Sequence, residues 1–276
     1  MRRTGPYNQA AVPSFGDLIE ATTAKRKPAL KRVKSAVDIA CAAYDGASPN
    51  VQGLAQIHVS KPAKKALIDG YDKRTAGMKK KLALMVATLP RANADLCPYC
   101  SLDSNPDLDH FLPKDIFPEF ALHAPNLIPI CTVCNRKKSK SYKREPGGER
   151  LFIHPSVEPT PDVPILEAEI VFQPEAVAVI YAVTVSNVLT APEHAQLVRH
   201  YKRLGLAGRY RVRAASHMAA FKESVATLHA AAVERTLQQK IETATVGEPL
   251  NGWLPALYRA IDAKKAETLD WLISNG

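Results

Sequence analysis

Cys97-Pro98-Tyr99-Cys100, then Asp109-His110-Phe111-Leu112-Pro113, then Asn126-Leu127-Ile128-Pro129, then Cys131-Thr132-Val133-Cys134-Asn135-Arg136-Lys137-Lys138: this stretch decides the fold of the 276-residue chain. A CxxC turn aims two sulfurs at one point, and zinc prefers a tetrahedral set of thiolates. Cys97, Cys100, Cys131 and Cys134 therefore read as one Zn2+ site that ties together the two ends of a module covering about 95–155. Four thiolates leave no open coordination position, so this ion is structural. Of the five cysteines only Cys41 lies outside the two pairs.

The residues between the pairs carry a different chemistry. Asp109-His110 sits at the end of a short strand that stops near Pro113. A histidine can take a proton from water near neutral pH, and an aspartate is a hard oxygen ligand for Mg2+. Asn135 directly follows Cys134, so the zinc fixes the start of a helix that presents Asn135 toward Asp109 and His110. Lys138 and Ser139 fall three and four residues further on, on the same helical face. Asp107 shares a strand side with Asp109 and is a candidate outer acceptor. His154 reads as structural, with a place in the cleft as its alternative. His123 reads as exposed, and Tyr99 as packing under the zinc knuckle. His194, His200, His217 and His229 fall on helices without metal-like partners.

The net charge of +10 is unevenly spread. Residues 1–150 hold 25 Lys/Arg and 14 Asp/Glu, an excess of +11, and residues 151–276 hold 12 and 13, a balance of −1. The electrostatic footprint for a polyanion thus coincides with the cysteine cluster. Cysteines in metal spacing, with no apolar leader after Met1-Arg2-Arg3, lead us to expect a cytoplasmic protein. No apolar run approaches the roughly 20 residues of a membrane helix.

Around the module the chain reads as mostly helical α+β, in three parts: a helical region over 1–92, the cysteine module over 93–155, and a β-hairpin plus helices over 156–276. Helical periodicity runs through Phe15, Leu18, Ile19, Leu30, Val33 and Val37, with Pro28 breaking it into two pieces. One helix is expected from Ser60, with Pro62 in its first turn, to about Leu89, where Pro90 stops it. Leu166–Phe172 and Val177–Val185 alternate as strands joined at Gln173-Pro174-Glu175. Thr190-Ala191-Pro192-Glu193 has the form of a capping box. Helices are expected over about 191–204, as one long piece over about 208–243, and as one or two from Pro255 to Ile273.

The order CxxC, Asp-His, Asn, CxxC-Asn-x-x-Lys resembles the HNH endonucleases, whose core is a ββα-metal fold; the resemblance covers about 95–145. It implies that His110 is a general base, that Asp109 and Asn135 hold a catalytic divalent ion, and that Asn126 orients the loop carrying the histidine. The pattern departs from the family's name, since Asn135 stands at the final metal position and Asp109 replaces the first histidine of many members. The asparagine form also occurs in the HNH domains of RNA-guided CRISPR effectors. Oxygen donors at both positions favour Mg2+ or Mn2+. The implied activity is hydrolysis of phosphodiester bonds, with DNA as the expected substrate. Arg136, Lys137, Lys138, Lys140, Lys143 and Arg144 follow as phosphate contacts, Lys138 first because it shares a face with Asn135. The surroundings of Leu112-Pro113-Lys114 and Phe117-Pro118-Glu119-Phe120 resemble stand-alone bacterial HNH proteins, several of which act in anti-phage defence beside an ATPase. Two rival readings stand beside this one. A non-catalytic zinc-dependent nucleic-acid-binding module leaves Asp109, His110 and Asn135 unexplained, whereas a toxin-like nuclease acting on RNA fits the same residues.

Overall fold

A computed structural model of the protein describes residues 3–89, 95–159, 161–173 and 176–274. It is α+β and mostly helical, with two separate two-stranded antiparallel sheets. The chain forms two compact units, one spanning Arg3–Pro159 and one made by the rest of the described residues.

In the first unit, helix α1 (Phe15–Ala21) starts at Ser14, which forms a capping box with Asp17. Helix α2 (Lys27–Ala47) carries Pro28 in its first turn, where a missing N–H costs nothing. The single helix expected from Ser60 to Leu89 is instead two, α3 (Lys61–Asp72) and α4 (Ala76–Val86). Thr75 makes the break by capping α4, accepting from the Met78 N–H at 3.2 Å. The restart turns Met78, Leu82 and Met85 inward, which a straight continuation of α3 is not required to do. Pro90, the expected stop, lies outside the described residues.

The cysteine module contributes strand β1 (Asp107–His110), strand β2 (Leu127–Ile130) and helix α5 (Thr132–Lys138). The strands pair antiparallel, Asp107 opposite Ile130 and His110 opposite Leu127, which gives the order β-β-α. Leu18, Tyr71, Met78, Leu82 and Met85 from the helices share one core with Leu122, Ala124 and Leu127 from the module. The expected division near residue 92 therefore runs through one unit. A second cluster, Ile19, Leu30, Val37, Ala66 and Leu67, joins α1, α2 and α3. A two-stranded sheet leaves outward main-chain groups unpaired. Two tyrosines of the helical region supply partners: Tyr7 donates to the Leu127 carbonyl at 2.6 Å and Tyr71 donates to the Leu108 carbonyl.

In the second unit, β3 (Leu166–Phe172) and β4 (Val177–Val183) pair in full register from Leu166 opposite Val183 to Phe172 opposite Val177. Pro174 and Glu175 of the expected turn lie outside the described residues. The capping box of Thr190 and Glu193 opens α6 (Ala191–Leu204), and Gly205, at φ 61°, supplies the left-handed residue that separates it from α7 (Leu206–Val225). The long helix expected over 208–243 is divided: α8 (Ala230–Thr243) restarts at His229, and no proline or glycine in the sequence marks the break. α9 (Trp253–Ala263) and α10 (Lys265–Ile273) complete the unit. α7 packs on β4 and α9 on β3, burying Ile170, Val179, Tyr181, Tyr210 and Leu257. No helix among the described residues is long and apolar enough to cross a membrane.

Because Leu82 is buried in the core that helices and module share, Leu82→Ala should lower the stability of both together, by about 2–5 kcal/mol. Urea unfolding followed by circular dichroism, with amide exchange in α4 and in β2, checks this. Exchange that quickens in α4 alone would mean two cores.

Candidate metal centre and active site

The sulfurs of Cys97, Cys100, Cys131 and Cys134 lie within 4.8 Å of one another, and all four residues are buried. Cys100 Sγ and Cys131 Sγ are 3.7 Å apart. That is far beyond a disulfide, and matches the edge of about 3.8 Å of a tetrahedron built on Zn–S bonds of ~2.3 Å. The donor set and its closure suit a structural Zn2+. Among the described residues no other three His, Cys, Asp or Glu side chains gather at metal-ligand spacing.

The local backbone explains how the sulfurs converge. In the first knuckle the Ser101 N–H returns to the Cys97 carbonyl at 2.8 Å, and the Cys97 N–H bonds the Asp103 carbonyl at 2.8 Å. In the second, Cys131 is the N-cap of α5: its sulfur accepts from the Cys134 N–H at 3.3 Å, and its carbonyl accepts from Asn135 at 2.9 Å. The thiolate cluster and the start of α5 are thus the same few atoms. Tyr99 lies beneath the first knuckle, stacked on Phe152 with ring centroids 6.0 Å apart.

From this start α5 lies along β1 and meets it in two rungs. Asn135 Nδ2 donates to Asp107 Oδ2 at 3.1 Å. One turn on, Lys138 Nζ stands 2.9 Å from Asp109 Oδ2 and donates to the His110 carbonyl at 2.6 Å. Both rungs follow from periodicity, since residues two apart share a strand face and residues three apart share a helix face. Two expectations need correction here. The direct partner of Asn135 is Asp107, rather than Asp109 or His110. Lys138, expected first among phosphate contacts, is 0% exposed, because the face of α5 that carries Asn135 is the inward one. Lys140 and Lys143 are paired with Asp115 and Glu145. Arg136 and Lys137 are exposed and have no carboxylate partner among the described residues.

The pleat that puts Asp107 and Asp109 toward α5 turns His110 to the other face of β1, where it is buried. Its Nε2 is 2.9 Å from the Ala121 carbonyl, and its ring meets Tyr71 edge-on at 4.2 Å. A carbonyl only accepts, so Nε2 carries the hydrogen and Nδ1 holds the lone pair. Burial pushes the imidazole down to about 3, and the nearby cations Lys114, Lys138 and Arg74 act in the same direction. His110 is therefore neutral at pH 7. Asn126, fully buried, closes the loop that follows it: Oδ1 accepts from Leu112 N–H at 2.7 Å, and Nδ2 donates to the Leu112 and Phe120 carbonyls at 3.1 Å.

Asp109 Oδ2 is buried and receives no directed hydrogen bond, its contact with Lys138 being an ion pair. The Asn135 amide, by donating its Nδ2 to Asp107, keeps Oδ1 as the end left to ligate. Asp109 and Asn135 supply oxygen donors of the type that Mg2+ takes. The other histidines are structural where they can be traced. His154 is buried on Phe111, its Nε2 beside the Pro125 carbonyl, and His123 pairs with Asp45 at 2.8 Å. Tyr71 carried no signal in the sequence, since its role depends on α3 reaching β1 from 37 residues away.

No protein-family profile matches the chain, and no solved structure matches it. Protein ea31 of Escherichia phage lambda is 28% identical over 136 residues, which is 46% of this chain and 43% of that protein. Septu protein PtuB of Bacillus thuringiensis is 36% identical over 81 residues, 27% of this chain and 29% of that protein. The matched stretches span less than half of either relative.

Two outcomes are expected at this site. Wild-type protein should carry about one zinc per chain, and Cys131→Ser should lose it together with stability, since the cap of α5 and a thiolate go at once; metal analysis and thermal unfolding check both, and a metal-free wild type with five titratable thiols would refute the clamp. Lys138→Met keeps the length of the side chain but leaves Asp109 without its cation, and should cost about 3–5 kcal/mol in denaturant unfolding. A loss below about 0.5 kcal/mol would mean that the pair is dispensable.

Proposed function

We propose that this chain is a metal-dependent HNH endonuclease that hydrolyses phosphodiester bonds, with DNA as its substrate. One observation carries the reading: the β-β-α order, with His110 at the end of β1, the loop after it closed by Asn126, and Asn135 joined to β1 through Asp107 where α5 lies along the strand. The resemblance to anti-phage HNH proteins, several of which act beside an ATPase, supports a defence effector with such a partner, and the partial likeness to Septu protein PtuB accords with that class of protein. The basic excess of residues 1–150 supports a polyanionic substrate.

The residues divide the work as follows. His110 Nδ1 takes the proton from a water as its oxygen bonds to phosphorus, and the 3′ oxygen departs and is protonated from solvent. With its hydrogen on Nε2, the ring offers the Nδ1 lone pair as the acceptor of that proton. The Ala121 carbonyl holds the ring in the tautomer that keeps the lone pair on Nδ1, and Asn126 holds the loop on which Ala121 sits. Asp109 and Asn135 Oδ1 would hold a Mg2+ or Mn2+ ion, which would supply neutralisation of charge at the phosphoryl group. Asp107 orients the Asn135 amide. Arg136 and Lys137 grip flanking phosphates without reading sequence. An RNA substrate is compatible with the same backbone chemistry.

His110→Ala should lower Mg2+-dependent cleavage of plasmid DNA by about 10²- to 10⁴-fold, with zinc content unchanged. Asn135→Ala should also cleave slowly, but recover part of its rate as Mg2+ or Mn2+ is raised, because it lacks a ligand rather than a base. Wild-type cleavage by His110→Ala, or no cleavage of DNA or RNA by the wild type, would sink the reading.

A further inference from the structure

The turn between α3 and α4 brings an unassigned cation to the histidine face of β1. Tyr71, near the end of α3, is buried, and its hydroxyl is anchored on the Leu108 carbonyl. On its ring sits the Arg74 guanidinium, with Cζ 4.2 Å from the centroid. The Tyr71 ring centroid is itself 4.2 Å from that of His110. Two short steps thus lead from a guanidinium to the proposed base.

Two cations close to this turn have acidic partners: Lys73 pairs with Asp69 at 3.2 Å, and Lys114, from the loop after β1, with Asp72 at 3.3 Å. Arg74 has no carboxylate within ion-pair distance among the described residues, and it is half-buried. A guanidinium held over a fixed aromatic ring is preorganised, and the N–H groups of its planar fork not turned to the Tyr71 hydroxyl are free to match oxygens of a phosphate. Fixing the fork before substrate arrives reduces the entropy lost on binding. The charge of Arg74 also reaches His110, adding to the burial that keeps the ring neutral.

We infer that Arg74 binds a phosphate of the nucleic-acid backbone beside His110, completing the catalytic cleft from the helical region outside the ββα module. This rests on the nuclease reading. The substrate class is the phosphodiester backbone, and the contact is independent of base identity. Tyr71 is the positioning residue, serving as a shared wall for the guanidinium and the imidazole.

The test is equilibrium binding of a short fluorescein-labelled DNA duplex in EDTA, across a salt series, with cleavage in Mg2+ measured in parallel. Arg74→Gln should keep the wild-type melting temperature and zinc content. It should reduce the slope of log Kd against log salt by about 0.9, the loss of one phosphate contact, and lower the cleavage rate by about 10²-fold. Arg74→Lys, which keeps the charge without the fork, should retain the salt slope and recover only part of the rate. An unchanged salt slope and rate in Arg74→Gln would overturn the inference, as would full recovery by Arg74→Lys of a rate lost with the slope intact. A wild type that binds DNA yet cleaves nothing would instead refute the nuclease reading, while the salt slope would still decide whether Arg74 holds a phosphate.

Discussion

The convergence of four thiols is the constraint on which the rest of the first unit depends. β1 and β2 are four residues long and α5 is seven, well short of the length at which an isolated helix is stable in water. Elements this short bury too little to hold themselves in place. The four-cysteine cluster places Cys131 and Cys134 at the first turn of α5 and joins them to Cys97 and Cys100, so a bound ion would restrict the chain at both ends of the module. With the start of α5 fixed, its length alone decides which residues reach β1. Asn135 meets Asp107 and Lys138 meets Asp109, and no further turn remains to disturb the match.

The second support comes from outside the module. The helices over Phe15–Val86 complete the core through Leu122, Ala124 and Leu127, and Tyr7 and Tyr71 accept the task of pairing strand carbonyls that a two-stranded sheet leaves open. The histidine face of β1 is consequently built by α3, whereas the opposite face is built by α5. This division explains why His110 and Asp109, adjacent in sequence, have such different surroundings. One is pressed against an aromatic ring and kept neutral, and the other is set beside an ammonium.

What the sequence made legible was chemistry fixed by spacing. The CxxC pairs, the capping box at Thr190 and the alternation over 166–172 each specify a local geometry that tertiary packing did not alter. What it concealed were the places where packing chooses between equal local options. Lys73-Arg74-Thr75 lies in a lysine- and alanine-rich stretch that favours helix on both sides, and only the inward turn of Met78, Leu82 and Met85 gives Thr75 its role as a cap. The break before His229 has no glycine or proline to announce it. Lys138 shares a face with Asn135, as its spacing requires, yet periodicity cannot say whether that face looks at solvent or at β1.

Lys138 also changes how the basic charge should be understood. An excess of +11 over residues 1–150 is a statement about the far field, which draws a polyanion toward this part of the chain. Near the proposed active site the relevant quantity is the set of cations that lack an acid. Lys65 and Lys73 share Asp69, Lys114 faces Asp72, Lys140 faces Asp115, and Lys138 is enclosed with Asp109. Exposed pairs of this kind add little to stability, and they compete with a phosphate for the same ammonium. Among the described residues Arg136 and Lys137 on α5, and Arg74 after α3, have no such competitor, and they flank the two elements that sandwich β1. The field that gathers the substrate and the groups that would grip it are therefore different residues, and only the second set follows from the fold.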